Sequence, residues 1–132
     1  MKSRDHLIRL KRFQLEDRRR RVAQIEAMIA DFNRMSADLD REIATEEQRS
    51  GISDPHHFAY PTYARAAVVR RDNLRRSAEE LREQLDEAKA LFDTAGEELS
   101  KVESLDGREK ASNGLVEAAA REMMTPQRFA RA

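Results

Sequence analysis

The chain has 132 residues, enough for one domain and short for two. Charged side chains make up 38% of it and aromatics 5%, with no tryptophan, which suits a long helix with one thin apolar stripe and argues against a globular core. The absence of cysteine excludes disulfides and thiolate metal sites, and 25 basic and 25 acidic groups cancel to zero net charge.

A disordered chain can share this composition, so the placing of the apolar residues decides. In the first arm, about residues 4–49, one seven-residue series runs Ile8, Leu15, Val22, Ile29, Ser36, Ile43. Its companion runs Lys11, Arg18, Ile25, Phe32, Leu39, Glu46. The alternating spacing of three and four is clean from Val22 to Ile43 and half-charged before it. Such a repeat, held over five or six heptads, marks a coiled coil.

The next stretch, "GISDPHHFAYPTY" at 51–63, gathers two of the three prolines, two of the three histidines and both tyrosines. Gly51 can end the first helix in a left-handed turn. Pro55 and Pro61 lack a donor and push the preceding residue out of helix. Thr62 or Ser53 is the expected cap of the second helix. The reading is a bend at 50–61. Its aromatics Phe58, Tyr60 and Tyr63 serve either as a lid on the last heptad or as anchors for a partner, the lid being favoured.

A second arm runs over about 62–107. One series holds Ala64, Arg71, Ala78, Leu85, Phe92 and Leu99; the other holds Tyr60, Ala67, Leu74, Leu81, Ala88, Ala95 and Val102. Equal arms, each of about 70 Å at 1.5 Å per residue, joined by a breaker loop imply an antiparallel pair. The charge blocks agree. Residues 1–21 carry nine basic and three acidic groups, 22–50 three and seven, 51–76 five and two, and 77–109 four and eleven. With the bend near 55, residue i faces roughly residue 110 − i, so each block lies along one of opposite sign. Asp38, Asp40, Glu42, Glu46 and Glu47 then lie along Arg65, Arg70, Arg71, Arg75 and Arg76.

The fold class expected is therefore all-α, an antiparallel coiled-coil hairpin over 1–110 with a tail at 111–132. Gly107 and "SNG" at 112–114 interrupt the pattern before "LVEAAAREMM" restarts a short amphipathic helix that Pro126 ends. Its face is Leu115 or Val116, Ala119 and Met123. It either folds onto Leu7, Leu10 and Phe13, which lie outside the seam, or waits for a partner.

Chemistry finds little footing. The pair His56–His57 has only Asp54 nearby, and zinc needs three or four converging ligands, so turn residues are the expectation and no metal or cofactor. The "RRRR" run at 18–21 invites a nucleic-acid reading, but it faces an acidic arm in a neutral chain without interleaved aromatics, so an internally paired face is expected. There is no glycine-rich phosphate loop and no nucleophile–histidine–carboxylate set, which points away from an enzyme. Apolar runs such as "AAVV" at 66–69 are far below the ~20 residues that cross a bilayer. The start of the chain also lacks a secretory apolar block, so a soluble cytoplasmic protein without membrane insertion is expected.

Three stretches carry a family resemblance: "LIRLKRFQLEDRRRRVAQIE" from residue 7, "DPHHFAYPTYARAAVVRRDNLRRSAEELREQL" from 54 and "GEELSKVESLDGREKA" from 96. Over residues 1–112 the chain resembles the FliJ family of bacterial flagellar export proteins, in its alphaproteobacterial form. The resemblance implies a non-enzymatic coiled coil of the type III secretion apparatus, similar to the stalk of rotary ATPases. Such a protein is cytoplasmic and peripheral to the inner membrane at the flagellar base. It stands in the hexameric export ATPase ring, promotes ring assembly and activity, contacts the membrane export gate, and escorts export chaperones in flagellum biogenesis and motility. The tail "ASNGLVEAAAREMMTPQRFARA" departs from the charged helix usual in the family, and tryptophans that some relatives carry on the second arm are absent. No contact residue is carried over by motif. Geometry alone suggests a ring-facing end with Leu7, Leu10 and Phe13 and a tip with Phe58, Tyr60 and Tyr63. A stand-alone chaperone or scaffold hairpin that binds partner helices is the alternative, and a monomeric hairpin is expected over a homodimer of extended chains.

Overall fold

In the computed structural model, which describes residues 2–124, the chain is an all-α two-helix hairpin. Helix α1 spans Lys2–Ser50 and helix α2 spans Thr62–Met124. The first helix stops where Gly51 takes a φ of 71° and its N–H bonds back to the Glu47 carbonyl at 2.9 Å, the left-handed ending that glycine adopts without a Cβ clash. The second starts with the Arg65 N–H donating to the Pro61 carbonyl at 3.0 Å. Pro61 thus occupies the entry position, where its missing donor is not needed, in place of the Thr62 or Ser53 cap expected from sequence.

Two compact units divide the chain, one of Asp17–Phe92 and one of Met1–Glu16 with Asp93–Ala132. In the first, Ile25, Leu81 and Ala88 form a buried cluster with Val22, Ile29, Phe32 and Leu85 packed against it. Toward the bend, Leu39, Ile43 and Ala67 form a second, flanked by Val68 and Leu74. Between them along the seam lie Ala78 and Ser36, both buried, and the Ser36 hydroxyl has no hydrogen-bond partner.

In the other unit Ile8, Ala95 and Leu99 are buried and Leu15 and Val102 half-buried. Opposed residues show the antiparallel sense within each unit. Lys11 meets Glu98 at 2.9 Å in one, and Arg71 meets Asp40 at 3.1 Å in the other, pairs whose numbers add to 109 and 111. Arg4 pairs with Glu109, and Arg12 lies 3.8 Å from Glu103.

One expectation is corrected here. The helix expected after residue 111 is not separated from the second arm by a break, because α2 continues unbroken through Gly107 and the Ser112–Gly114 segment to Met124. An exposed glycine costs a helix only about 1 kcal/mol relative to alanine, and the alanines, glutamates and arginines around these two supply the propensity to absorb it. Of the two alternatives left open for this segment, folding onto Leu7, Leu10 and Phe13 is not the one seen: residues 111–123 are exposed helix. The expected stop at Pro126 lies outside the described residues.

The seam makes two opposite predictions. Leu85→Asp places an unpaired charge in the apolar stripe, costing several kcal/mol, and should abolish most helicity by circular dichroism. Ser36→Ala removes a buried unpartnered hydroxyl and should raise stability by about 1 kcal/mol in thermal denaturation.

Candidate partner-binding surfaces

The bend is built by short-range hydrogen bonds. Asp54 accepts from the His56 N–H through its side chain and from the His57 N–H through its carbonyl, each at 3.0 Å. The Ala59 N–H donates to His57 Nδ1 at 3.0 Å, so that nitrogen is an acceptor in the folded loop. Arg65 reaches back from the first turn of α2 to donate to the Pro55 and His57 carbonyls at 3.1 and 3.3 Å. These contacts give both histidines a place in the turn. Among the described residues no group of three or more His, Cys, Asp or Glu is placed to hold a metal.

The three aromatics of this tip are not equivalent. Tyr60 is buried at 4% exposure; its hydroxyl donates to Glu47 at 2.7 Å and the Arg65 guanidinium lies 5.7 Å from its ring centre. It covers the end of the seam. Phe58 is 93% exposed and stacks only on His57, with ring centres 4.8 Å apart. Tyr63 is half-exposed and donates its hydroxyl to Glu42 at 2.9 Å. Of the three, Phe58 and Tyr63 offer surface to a partner.

Burial raises the Tyr60 pKa above its ordinary value, and the bond to Glu47 adds to this. Tyr63 is raised chiefly by its bond to Glu42. In both, ionising the phenol would set a second negative charge beside a carboxylate.

At the chain-terminal unit, Leu7, Leu10 and Phe13 are exposed on α1, pointing away from the Ile8–Leu15 seam. Leu105 on α2 is exposed in the same unit, and Leu115, Val116 and Met123 are exposed further along it. Asp106 continues the Leu99 series by seven and is buried; Lys110, one turn on, caps its carboxylate at 3.0 Å and has its own pKa raised by that bond.

The charge pattern is finer than the block arithmetic. Of the five acidic groups expected to face the arginines of α2, Asp40 alone makes ion pairs across to that helix among the described residues, with Arg71 and Arg75. Asp38 and Glu46 pair within α1 with Arg41 and Arg49, while Glu42 and Glu47 take the tyrosine hydroxyls. Burial alone would lower the pKa of half-buried Arg71, but its bonds to Asp40 and Asp72 raise it. The expected internal pairing of the arginine run fails at two positions. Arg18 and Arg21 make no ion pair among the described residues and instead line a groove between α1 and α2. The side chains of α2 that line this groove are Gln84, Glu87, Ala88 and Leu91.

No helix among the described residues is long and apolar enough to cross a membrane. Against known proteins, the chain matches no family model, no curated protein and no solved structure.

Tyr60 predicts an alkaline limit to the stability of the bend. Its folded pKa lies above the unfolded value of about 10, so the stabilisation is full below that pH and is lost as pH rises through the folded value. Tyr60→Phe should lower the melting temperature at neutral pH and flatten its decline above pH ~10, measured by thermal denaturation across a pH series.

Proposed function

We propose that the chain is a non-enzymatic stalk of the FliJ type in the bacterial flagellar export apparatus, promoting assembly and activity of the export ATPase ring and linking it to the membrane export gate. Supporting this reading are the three stretches that resemble the family, together with two helices of 49 and 63 residues paired antiparallel within each unit. The single observation that carries it is the hairpin, since a stalk of this kind requires long uninterrupted helices whose outer faces are charged and free of deep sites.

In this reading the end bearing Leu7, Leu10 and Phe13 enters the ring, and the tip bearing Phe58 and Tyr63 reaches toward the gate. Escort of export chaperones, a cytoplasmic location peripheral to the inner membrane, and a monomeric state belong to the same proposal. The exposed Leu115, Val116 and Met123 favour a second reading as a scaffold for partner helices, which predicts no effect on an ATPase.

Leu7→Asp and Phe13→Asp should each keep native circular dichroism, because both side chains are exposed, yet lower stimulation of the export ATPase of the same organism. Full stimulation by both variants would reverse the orientation. Failure of the unmodified chain to bind or stimulate that ATPase would remove the stalk reading itself.

A further inference from the structure

The two compact units of the chain close their seams by different means. Within Asp17–Phe92 apolar packing does it: Ile25, Leu81 and Ala88 form one buried cluster and Leu39, Ile43 and Ala67 another. Residues 2–16 and 93–110 share a thinner stripe. Ile8, Ala95 and Leu99 are buried there, while Leu15 and Val102 are half-buried. The seam series of α1 that holds Ile25, Phe32 and Leu39 further along holds Arg4 and Lys11 here. On α2 the stripe runs out into Asp106 and Glu109.

Charge is distributed the other way. Residues 2–16 carry five basic and two acidic groups and residues 93–110 three and six, a balance of +3 against −3. In the other unit residues 17–50 carry seven and eight and residues 62–92 seven and six, a balance of −1 against +1. The excess at the chain-terminal unit is used across its seam. Arg4 pairs with Glu109, Lys11 with Glu98 at 2.9 Å, and Arg12 lies 3.8 Å from Glu103. Arg4, Lys11 and Glu109 are half-buried, so two of these pairs are partly shielded from water. Lys11 holds the Glu98 carboxyl below its ordinary range through their hydrogen bond and opposite charges.

No single exposed pair is strong. The opening of a thin unit is decided by a small difference, however, and three pairs together reach that size. Salt acts on one unit and not the other, because the Debye length falls from about 30 Å at 0.01 M to about 3 Å at 1 M, whereas apolar contacts carry no charge to screen. A helical segment of this length released from its partner is marginal in water, so separation and unwinding go together.

We infer that residues 2–16 of α1 form an ionic clasp on residues 93–110 of α2, which raised salt releases as one unit while Asp17–Phe92 stays closed. Release uncovers Ile8, Leu15, Leu99 and Val102. Together with the already exposed Leu7, Leu10 and Phe13, it leaves the start of α1 apolar around much of its surface. The clasp does not rest on the stalk reading, because it concerns bonds of the chain with itself.

The test is hydrogen exchange of the full chain, followed by mass spectrometry in sodium chloride from about 0.02 to about 0.5 M. Amides of residues 5–16 and 96–108 should exchange about five-fold or more faster at the upper concentration, and those of 25–43 should change by less than about two-fold. Lys11→Glu sets like charges against each other at Glu98 and should release the clasp even in low salt. Adding Glu98→Lys should restore most of the protection. Lys11→Leu continues the apolar series of Ile25 and Phe32, so it should slow exchange of 5–16 and weaken its response to salt. Asp40→Asn removes the pairs with Arg71 and Arg75 in the other unit and should leave 5–16 within about two-fold. Exchange of 5–16 that ignores salt, or that declines by degrees inward from Lys2 at every concentration, is ordinary fraying and would overturn the clasp. So would an equal salt response of 25–43, or a charge swap that restores nothing.

Discussion

In each unit α1 and α2 are held together by one stripe of apolar side chains with no third layer among the described residues behind it. Helices of this length in water draw most of their stability from packing of such a stripe and little from propensity alone. Every seam position therefore carries a large share of the total, at about 1.5–3 kcal/mol for a fully buried aliphatic side chain. The stripe alternates sizes to stay close-packed. Near the bend Tyr60, Ala64 and Ala67 are buried, whereas further along the larger Ile25 packs with the small Ala88. Polar groups enter only with a partner: Arg71 holds Asp40 and Asp72, and Asp106 holds Lys110. Ser36 is the exception, and it falls between the two apolar clusters of its unit, where the seam is least able to bury a hydroxyl without loss.

Electrostatics plays a different part from the one its abundance suggests. Exposed ion pairs contribute about 0–1 kcal/mol each, so Lys11–Glu98 or Asp40–Arg75 adds little to stability. Their value lies in direction, because the alternative parallel arrangement would stack basic block on basic block. Several carboxylates, such as Asp31, Asp38, Glu46 and Glu79, pair within their own helix instead. Those nearest the bend accept from tyrosine hydroxyls, Glu47 from Tyr60 of the turn and Glu42 from Tyr63 of α2, so neutral donors that salt screens little join both to α1.

Much of this was legible in sequence because a heptad repeat reports directly which side chains share a face. The seam positions from Ile8 to Val102, the bend and the antiparallel sense all come from spacing and breaker residues. The misses have local physical causes. Gly107 and Gly114 look like breaks when judged by residue type, yet a glycine between strong helix formers costs too little to stop a helix with no proline ahead of it before 126. Arg18 occupies a seam position by count and is exposed in the structure, since a long side chain can leave the stripe while its backbone keeps register. Block charges predicted opposition correctly but not partners, because in-helix neighbours three residues away, such as Arg41 for Asp38, are closer than anything on the other helix. Tyr60 and Phe58 differ by two residues and have opposite fates, a distinction set by the turn's hydrogen bonds and invisible to composition.

A two-helix seam cannot cover its own side chains completely, and this bears on what each edge of Asp17–Phe92 can do. Val22, Ile29, Phe32 and Leu85 remain only partly buried although they pack on the core. The remaining apolar area is worth roughly 25 cal/mol per Å² to any surface that covers it. A partner helix arriving on an already ordered pair meets a fixed backbone, so it spends less on ordering than two flexible segments would. The charged edge discourages such an arrival, because burying Asp40 or Lys89 under an apolar face would strand a charge. The other edge mixes Met28, Met35, Tyr63 and Leu91 with the charges of Arg21, Arg70, Glu42 and Glu87. Single residues flanking the same heptad positions thus make the two edges of one apolar stripe differ in kind.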